Sequence, residues 1–271
     1  MTASTDKIFT GAVPQVYQKY LVPLIFEDYA ADLVKRVASR PLTRVLEVAA
    51  GTGVVTRGLA SSLQSNVAIV ATDLNQAMID QASAVGTARP VEWRQADAMQ
   101  LPFPDASFDA VVCQFGVMFF PEKPRAFAEA RRVLRPGGVY IFNVWDRIDQ
   151  NEFADAVTAG MTTMFPSDPP RFLPRTPYGY FEHARIKQDL AAGGFTATPD
   201  IVTVSNRSKA EAALDPAIGY CQGTPLRAEI EARDPAGLEA ATKAGAVEIA
   251  RRFGQGAVDA KIQAHVVTIE K

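Results

Sequence analysis

Val45-Leu46-Glu47-Val48-Ala49-Ala50-Gly51-Thr52-Gly53 opens on apolar residues and closes on small ones. Arg44 to Ala49 reads as a buried strand, because Val45, Leu46 and Val48 crowd a short segment. A tight turn follows, Ala50 to Gly53, and Val54 to Leu63 can form a helix. Small residues at Ala49, Gly51 and Gly53 let a ligand approach the backbone, and the helix beyond presents unpaired N–H groups. Val67 to Thr72 is a second apolar strand, and Asp73 ends it, 22 positions after Gly51. A carboxylate there can accept both hydroxyls of a ribose. Alone, Gly-x-Gly equally describes a close turn with no ligand. Joined to Asp73, it predicts a nucleotide-like ligand.

Outward from this stretch, strand and helix alternate. Gln76 to Val85 reads as a helix, Val91 to Gln95, Ala110 to Phe115 and Gly138 to Val144 as strands, and Pro124 to Leu134 as a helix stopped by Pro136-Gly137-Gly138. A βαβ succession implies an α/β fold whose parallel sheet is covered on both faces. Before it, apolar residues from Leu24 to Ala38 recur at helical spacing. After Asp146 the pattern changes. Residues 166 to 177 hold five of the 18 prolines, which predicts an irregular connector. Ala184 to Ala192 resumes as a helix and Ile201 to Val204 as a strand. Residues 208 to 254 read as two or three helices before a last strand, Gln263 to Ile269.

The whole-chain numbers exclude several classes. The 271 residues suit one large α/β unit with an insertion. Twenty-eight basic residues against 30 acidic ones give a charge of −2, so no net positive field gathers nucleic acid. Cys113 and Cys221 are too few for a disulfide framework, which fits a reducing cytoplasm. No basic segment followed by an apolar core opens the chain, and no apolar run is long enough for a membrane span. The expectation is a cytoplasmic protein with no nucleic-acid, membrane or metal partner.

The nucleotide is narrowed by what is missing. A dinucleotide fingerprint wants a third small residue where Thr56 stands. No tyrosine is followed four places later by lysine, which weighs against short-chain dehydrogenase chemistry, and no Gly-Lys-Ser/Thr phosphate loop occurs. A ribose-bearing ligand without a pyrophosphate remains, with an acid, Glu47, four residues before Gly51.

Here the residues carry a resemblance. Val45 to Gly53 resembles the first motif of class I S-adenosylmethionine-dependent methyltransferases, Ala71 to Met78 the second, and Gln95 to Phe103 the third. Ser107 to Phe120 and Arg132 to Gly138 extend the likeness, which is greatest to small-molecule enzymes similar to ubiquinone and menaquinone C-methyltransferases. The resemblance implies a Rossmann-like, seven-stranded, mostly parallel sheet with the last strand antiparallel and a helical lid or insertion. By the same token Glu47 helps orient the methionine amino group through the turn, and Ala49, Gly51 and Gly53 leave room for the amino acid and sulfonium. Asp73 binds the ribose, Leu74 and Met78 pack on the adenine, Asp97 accepts from its amine, Ala98 donates a backbone N–H, and Gln114 lies beside the methyl group. Ala49 departs from the family, which more often has glycine there.

On this reading the chain divides into an N-terminal helical lid segment (1–40), a cofactor-binding core (41–146), a connector with the remaining core (147–207), a helical insertion (208–257) and the last core strand (258–271). Aromatic residues concentrate in the lid segments, Tyr17, Phe26, Tyr178 and Tyr180 among them, and are expected to enclose a small-molecule acceptor. Core packing explains them equally well. Methyl transfer from a sulfonium is an in-line displacement, so alignment can supply about 7–11 kcal/mol and a base is optional. His183, at the entry to a helix, is the one weak catalytic candidate; His265, inside the last strand, reads as structural. Ser167-Asp168-Pro169-Pro170 is set aside as an amino-methyltransferase motif, since it does not follow the fourth strand and Arg171 replaces the aromatic residue. A cofactor-binding protein without catalysis and a nicotinamide-dependent oxidoreductase stay open as alternatives.

Overall fold

The computed structural model describes Phe9 and residues 11–271. Helical turns begin at α1 (Val13–Val16), widen into a π-helix at Tyr17–Phe26 and continue as α2 (Glu27–Ala38). Pro23 sits inside the π segment and lacks the N–H of a regular turn. The Glu27 N–H reaches back five residues to Val22 O, the wider turn that accommodates the proline ring.

The alternating pattern then appears as β1 (Arg44–Val48), α3 (Val54–Ser62), β2 (Ala68–Asp73), α4 (Gln76–Val85), β3 (Glu92–Gln95), β4 (Phe108–Gln114), α5 (Lys123–Val133) and β5 (Leu134–Trp145). The Pro-Gly-Gly sequence lies inside β5 rather than ahead of it. The pairing jumps from Phe108↔Leu134 to Ala110↔Val139, so the extra residues are accommodated as a bulge with Gly137 at φ +76°. Next come α6 (Glu152–Met164), α7 (Phe172–Arg175), α8 (His183–Ala192), β6 (Asp200–Ala210), α9 (Leu214–Gln222), α10 (Leu226–Arg233), α11 (Leu238–Phe253) and β7 (Val258–Glu270). Helix α6 was not legible in the sequence, whereas the three helices between β6 and β7 fill the stretch expected for them.

The seven strands form one sheet in the order β3-β2-β1-β4-β5-β7-β6. Strands β1 to β5 pair in parallel. β7 runs against β5: Lys271 N donates to Gly138 O at one end and Asp146 N to Gln263 O at the other. Parallel neighbours bring the ends of β1, β2, β3 and β4 to one edge, which is where the loops of interest emerge.

Two compact units divide the chain. One holds residues 28–144, 180–204 and 265–271. On one face of its sheet, Leu33 and Val37 of α2 and Val55 and Leu59 of α3 pack on Val45 and Ile141. On the other, Phe127 of α5 stacks on Phe142 at 5.5 Å between ring centroids, and Phe195 stacks on Tyr140 at 6.3 Å. Covering both faces explains why these strands read as continuous apolar runs.

The second unit holds residues up to 27, 145–179 and 205–264. Helices α6, α9 and α11 pack together in it. The proline-rich connector is tied to α10: the buried Glu229 carboxylate accepts from Arg171 N and Phe172 N and pairs with Arg175, while Arg233 donates to Asp168 O. Ionic and backbone contacts thus hold a segment that prolines keep out of regular structure. A run of rings also crosses this unit. Phe9 meets Tyr17 edge-on, Tyr17 stacks on Phe26 at 5.0 Å, and Trp145 lies 6.1 Å from Phe26 and 5.9 Å from Tyr178, whose hydroxyl is 3.3 Å from that of Tyr220.

Candidate active site

The turn after β1 is built from left-handed backbone. Ala49 has φ +55°, Gly51 +57° and Gly53 +83°. Glycine adopts this region without strain, and alanine does so at a cost. Gly53 is also sterically required, since a Cβ would lie 2.9 Å from the Trp93 ring of β3. The turn is anchored by Ala50 N to Thr72 O and by Gly53 N to Ala50 O, each 2.9 Å.

Asp73 ends β2 and is 7% exposed. One carboxylate oxygen accepts from Gly51 N at 2.9 Å and the other from Asn75 N at 2.8 Å. One side chain therefore clasps the β1 turn and the β2 turn together. Burial raises its pKa, opposed by the N–H groups of Asn75 and Gly51. Next to it, Leu74 is 38% exposed, an apolar side chain left at the sheet edge, whereas Met78 is buried in α4.

Glu47 is 1% exposed and lies beneath the turn. Its carboxylate accepts from Thr56 Oγ1 of α3, and its backbone carbonyl accepts from Thr72 Oγ1 at 3.0 Å. The residue read only as a missing glycine, Thr56, is thus the partner of the buried acid. Desolvation pushes the Glu47 pKa up to about 8, against the pull of Thr56 and Arg57 and with a further push from Asp73. The sign of the linkage follows. A carboxyl whose folded pKa lies above its unfolded value of 4.5 contributes stability fully below that value and loses it as pH rises to about 8. The cofactor-free Glu47→Gln variant should hence melt above wild type at pH 8, by of order 3 kcal/mol of stability, with the gap closing by pH 4.5. Parallel melting curves at all pH values would contradict a neutral buried Glu47.

Asp97 is half-buried and caps its own turn, accepting from Met99 N at 2.9 Å, with Ala98 buried beside it. The loop is pinned by α5: Glu129 accepts from Leu101 N, Arg125 donates to Met99 O, and Arg132 donates to Leu101 O and Phe103 O. Gln114 ends β4, half-buried, in register with Asn143 of β5. All the residues proposed from sequence, apart from His183, therefore lie in or beside the loops at the carboxyl ends of β1 to β4. His183 is exposed in the first turn of α8, and its ring meets that of His265 edge-on at 4.3 Å. His265 lies on β7, third in sheet order from β1, with Nδ1 2.9 Å from Thr203 Oγ1. Tyr180, expected to line a cavity, donates its hydroxyl to Asp189, and Lys123 lies over its ring at 4.7 Å.

Sequence reasoning missed Thr52 in this turn. It is 1% exposed, and its hydroxyl has no hydrogen-bond partner among the described residues. A left-handed cradle, a carboxylate at its rim, an apolar side chain beside it and an orphaned hydroxyl suit a ligand with a ribose and a flat ring. A cleft also exists at the opposite, amino-terminal edge of the sheet, but the guanidiniums lining it are already paired, Arg40 with Glu270 and Arg135 with Asp109. Among the described residues no three side chains are grouped to hold a metal ion, and no helix is long and apolar enough to cross a membrane.

Comparison with known proteins bears on this arrangement. A family profile described as a methyltransferase domain matches residues 46–142. The ubiquinone/menaquinone biosynthesis C-methyltransferase UbiE of Ectopseudomonas mendocina is 42% identical over 103 residues, 36% of this chain and 40% of that protein. Its namesake from Stutzerimonas stutzeri is 30% identical over 203 residues, 70% of this chain and 75% of that protein. The chain spans 40% to 50% of the length of several of the curated relatives that it matches, the first of these included. In fold it is similar to Haemonchus contortus phosphoethanolamine N-methyltransferase 2, solved in complex with phosphomonomethylethanolamine and S-adenosylhomocysteine. That likeness has a TM-score of 0.56 at 17% identity and covers 95% of this chain and 56% of the other. With its sheet order, its β1 turn and its acid at the end of β2, the chain belongs to the class I S-adenosylmethionine-dependent methyltransferases of the UbiE type.

Proposed function

We propose that this protein transfers a methyl group from S-adenosylmethionine to a ring-bearing small molecule. The observation that carries the cofactor half is the Asp73 carboxylate held between the Gly51 and Asn75 N–H groups at the rim of a left-handed turn. In this reading Asp73 receives the ribose hydroxyls, Leu74 and Met78 flank the adenine, and Asp97 and Ala98 meet its polar edge. Ala49, Gly51 and Gly53 make room for the amino-acid end, Glu47 holds the turn from below through Thr56, and Gln114 stands near the reacting group. The bound cofactor supplies a methyl group on a sulfonium leaving group. The residues of the chain bind it, orient it and keep water away.

For the acceptor, the names of the relatives, which include a 2-phytyl-1,4-naphtoquinone methyltransferase, point to a quinone-like ring. Two buried free thiols fit a reducing, cytoplasmic setting. No general base is assigned, because His183 pairs with His265 rather than with the residues of the turn. Calorimetry should show S-adenosylmethionine binding at micromolar strength, roughly 8 kcal/mol, and no heat with NADH. Labelled methyl transfer to a reduced naphthoquinone tests the acceptor. Binding of NADH in place of the sulfonium compound would overturn the cofactor reading, and binding without transfer to any ring-bearing acceptor would favour a non-catalytic protein.

A further inference from the structure

The exit of β4 holds two unfavourable features side by side. Phe115, the residue after the strand, has φ +49°, a left-handed backbone that a bulky L-residue rarely adopts. Its N–H is held by Asn143 of β5 twice over, by the side-chain Oδ1 at 2.8 Å and by the backbone carbonyl at 3.2 Å. Asn143 is fully buried, and with Oδ1 committed to Phe115, its Nδ2 has no hydrogen-bond partner among the described residues. Swapping the amide would set its NH₂ against the Phe115 N–H, so the orientation is fixed by this one bond. A leucine, with the same number of side-chain heavy atoms, would avoid the orphaned donor, yet it would leave the Phe115 N–H only the longer bond to the backbone carbonyl.

The strained turn has a consequence at the next residue. It brings Gly116 so close to the β1 turn that a Cβ on it would lie 2.5 Å from the Ala49 Cβ and 2.7 Å from Cys113 Sγ. The Phe115 ring, buried edge-on against Tyr29 at 5.3 Å, completes the brace. Ala49 is itself left-handed at φ +55°. Two strained non-glycine residues, one after β1 and one after β4, are therefore pressed together through Gly116, with Asn143 locking the second from β5.

We propose that Asn143 is a positioning residue for the cofactor turn: its amide locks the left-handed Phe115, so that the exit of β4 braces Ala49 and sets the shape of the Ala49–Gly53 cradle. This rests on the reading that the cradle holds the cofactor. A residue that only stabilises the fold would lower the melting temperature and leave the affinity of the folded protein unchanged. A positioning residue changes the affinity of protein that is still folded.

The test measures the melting temperature and calorimetric Kd for S-adenosylhomocysteine of the full chain, at a temperature well below the melting transition. Asn143→Leu keeps the number of side-chain heavy atoms and removes the amide acceptor; Asn143→Ala removes it without adding bulk. The expected result is a Kd at least tenfold weaker in both folded variants. Asn143→Asp, which keeps an acceptor for the Phe115 N–H, should stay within threefold of wild type when measured at a pH low enough to keep the new carboxyl neutral. Wild-type Kd in the Leu and Ala variants, or failure of both to fold, would make Asn143 structural and overturn the proposal. Asp73→Ala serves as the reference. If it too leaves Kd unchanged, the cofactor reading of the cradle has failed, whereas a weakened Asp73 variant beside unaffected Asn143 variants refutes the positioning role alone.

Discussion

Gly51→Val is expected to weaken S-adenosylhomocysteine binding more than a hundredfold, beyond about 2.8 kcal/mol. Two effects add. Gly51 has φ +57°, and an ordinary L-residue there costs about 1–2 kcal/mol, more for a β-branched side chain that is stiff at χ1. Relief of that strain rotates the peptide and breaks the Gly51 N–H bond to Asp73, so the turn and the ribose acid are disturbed together. The branched side chain then occupies the space the cradle offers. Gly86 is the control for backbone strain away from the turn, since it too has a positive φ, +83°, here with ψ 174°, and a Cβ on it meets nothing within 4 Å. Gly86→Val, in a region that essentially only glycine adopts, should carry at least as much backbone strain and still bind normally. A Gly51→Val protein that folds and binds within tenfold of wild type would remove the turn from the site.

Asp73→Ala is expected to cost about 1.5–3 kcal/mol of cofactor affinity, the usual size for hydrogen bonds to a charged group. From sequence alone folding should survive this change, because a carboxylate at a strand end makes few packing contacts. The structure adds a cost in stability. The carboxylate is buried and accepts from two backbone N–H groups, so its removal should also lower stability by about 1–3 kcal/mol. Chemical denaturation and calorimetry on the same variant separate the two losses. Asp80→Ala, in an exposed i,i+4 contact with Gln76 on α4, is the control expected to change neither. Intact stability together with unchanged affinity in Asp73→Ala would show that the clasp between the two turns carries nothing.

The α/β alternation, the turn after β1 and the acid ending β2 are legible in the order of residues alone. These are local properties. Strand, turn and helix follow from which residues are apolar, small or branched within ten positions, and the spacing from Gly51 to Asp73 is set by one crossover. Other features depended on residues far apart in the chain. The anchoring of the proline-rich connector rests on partners such as Glu229, 58 positions from Arg171. Thr56 read as an absence until its hydroxyl was found on Glu47. His183 read as a weak catalytic candidate at a helix entry until α8 set it against His265, a neighbour 82 positions away that no local pattern announces. Most plainly, nothing in the sequence around Asn143 marks it. Its amide matters because the parallel pairing of β4 with β5 sets it beside Gln114, one residue short of the backbone that turns left-handed. Strain, burial and the pairing of polar groups across strands are properties of the assembled sheet, and no stretch of residues carries them before the strands have paired.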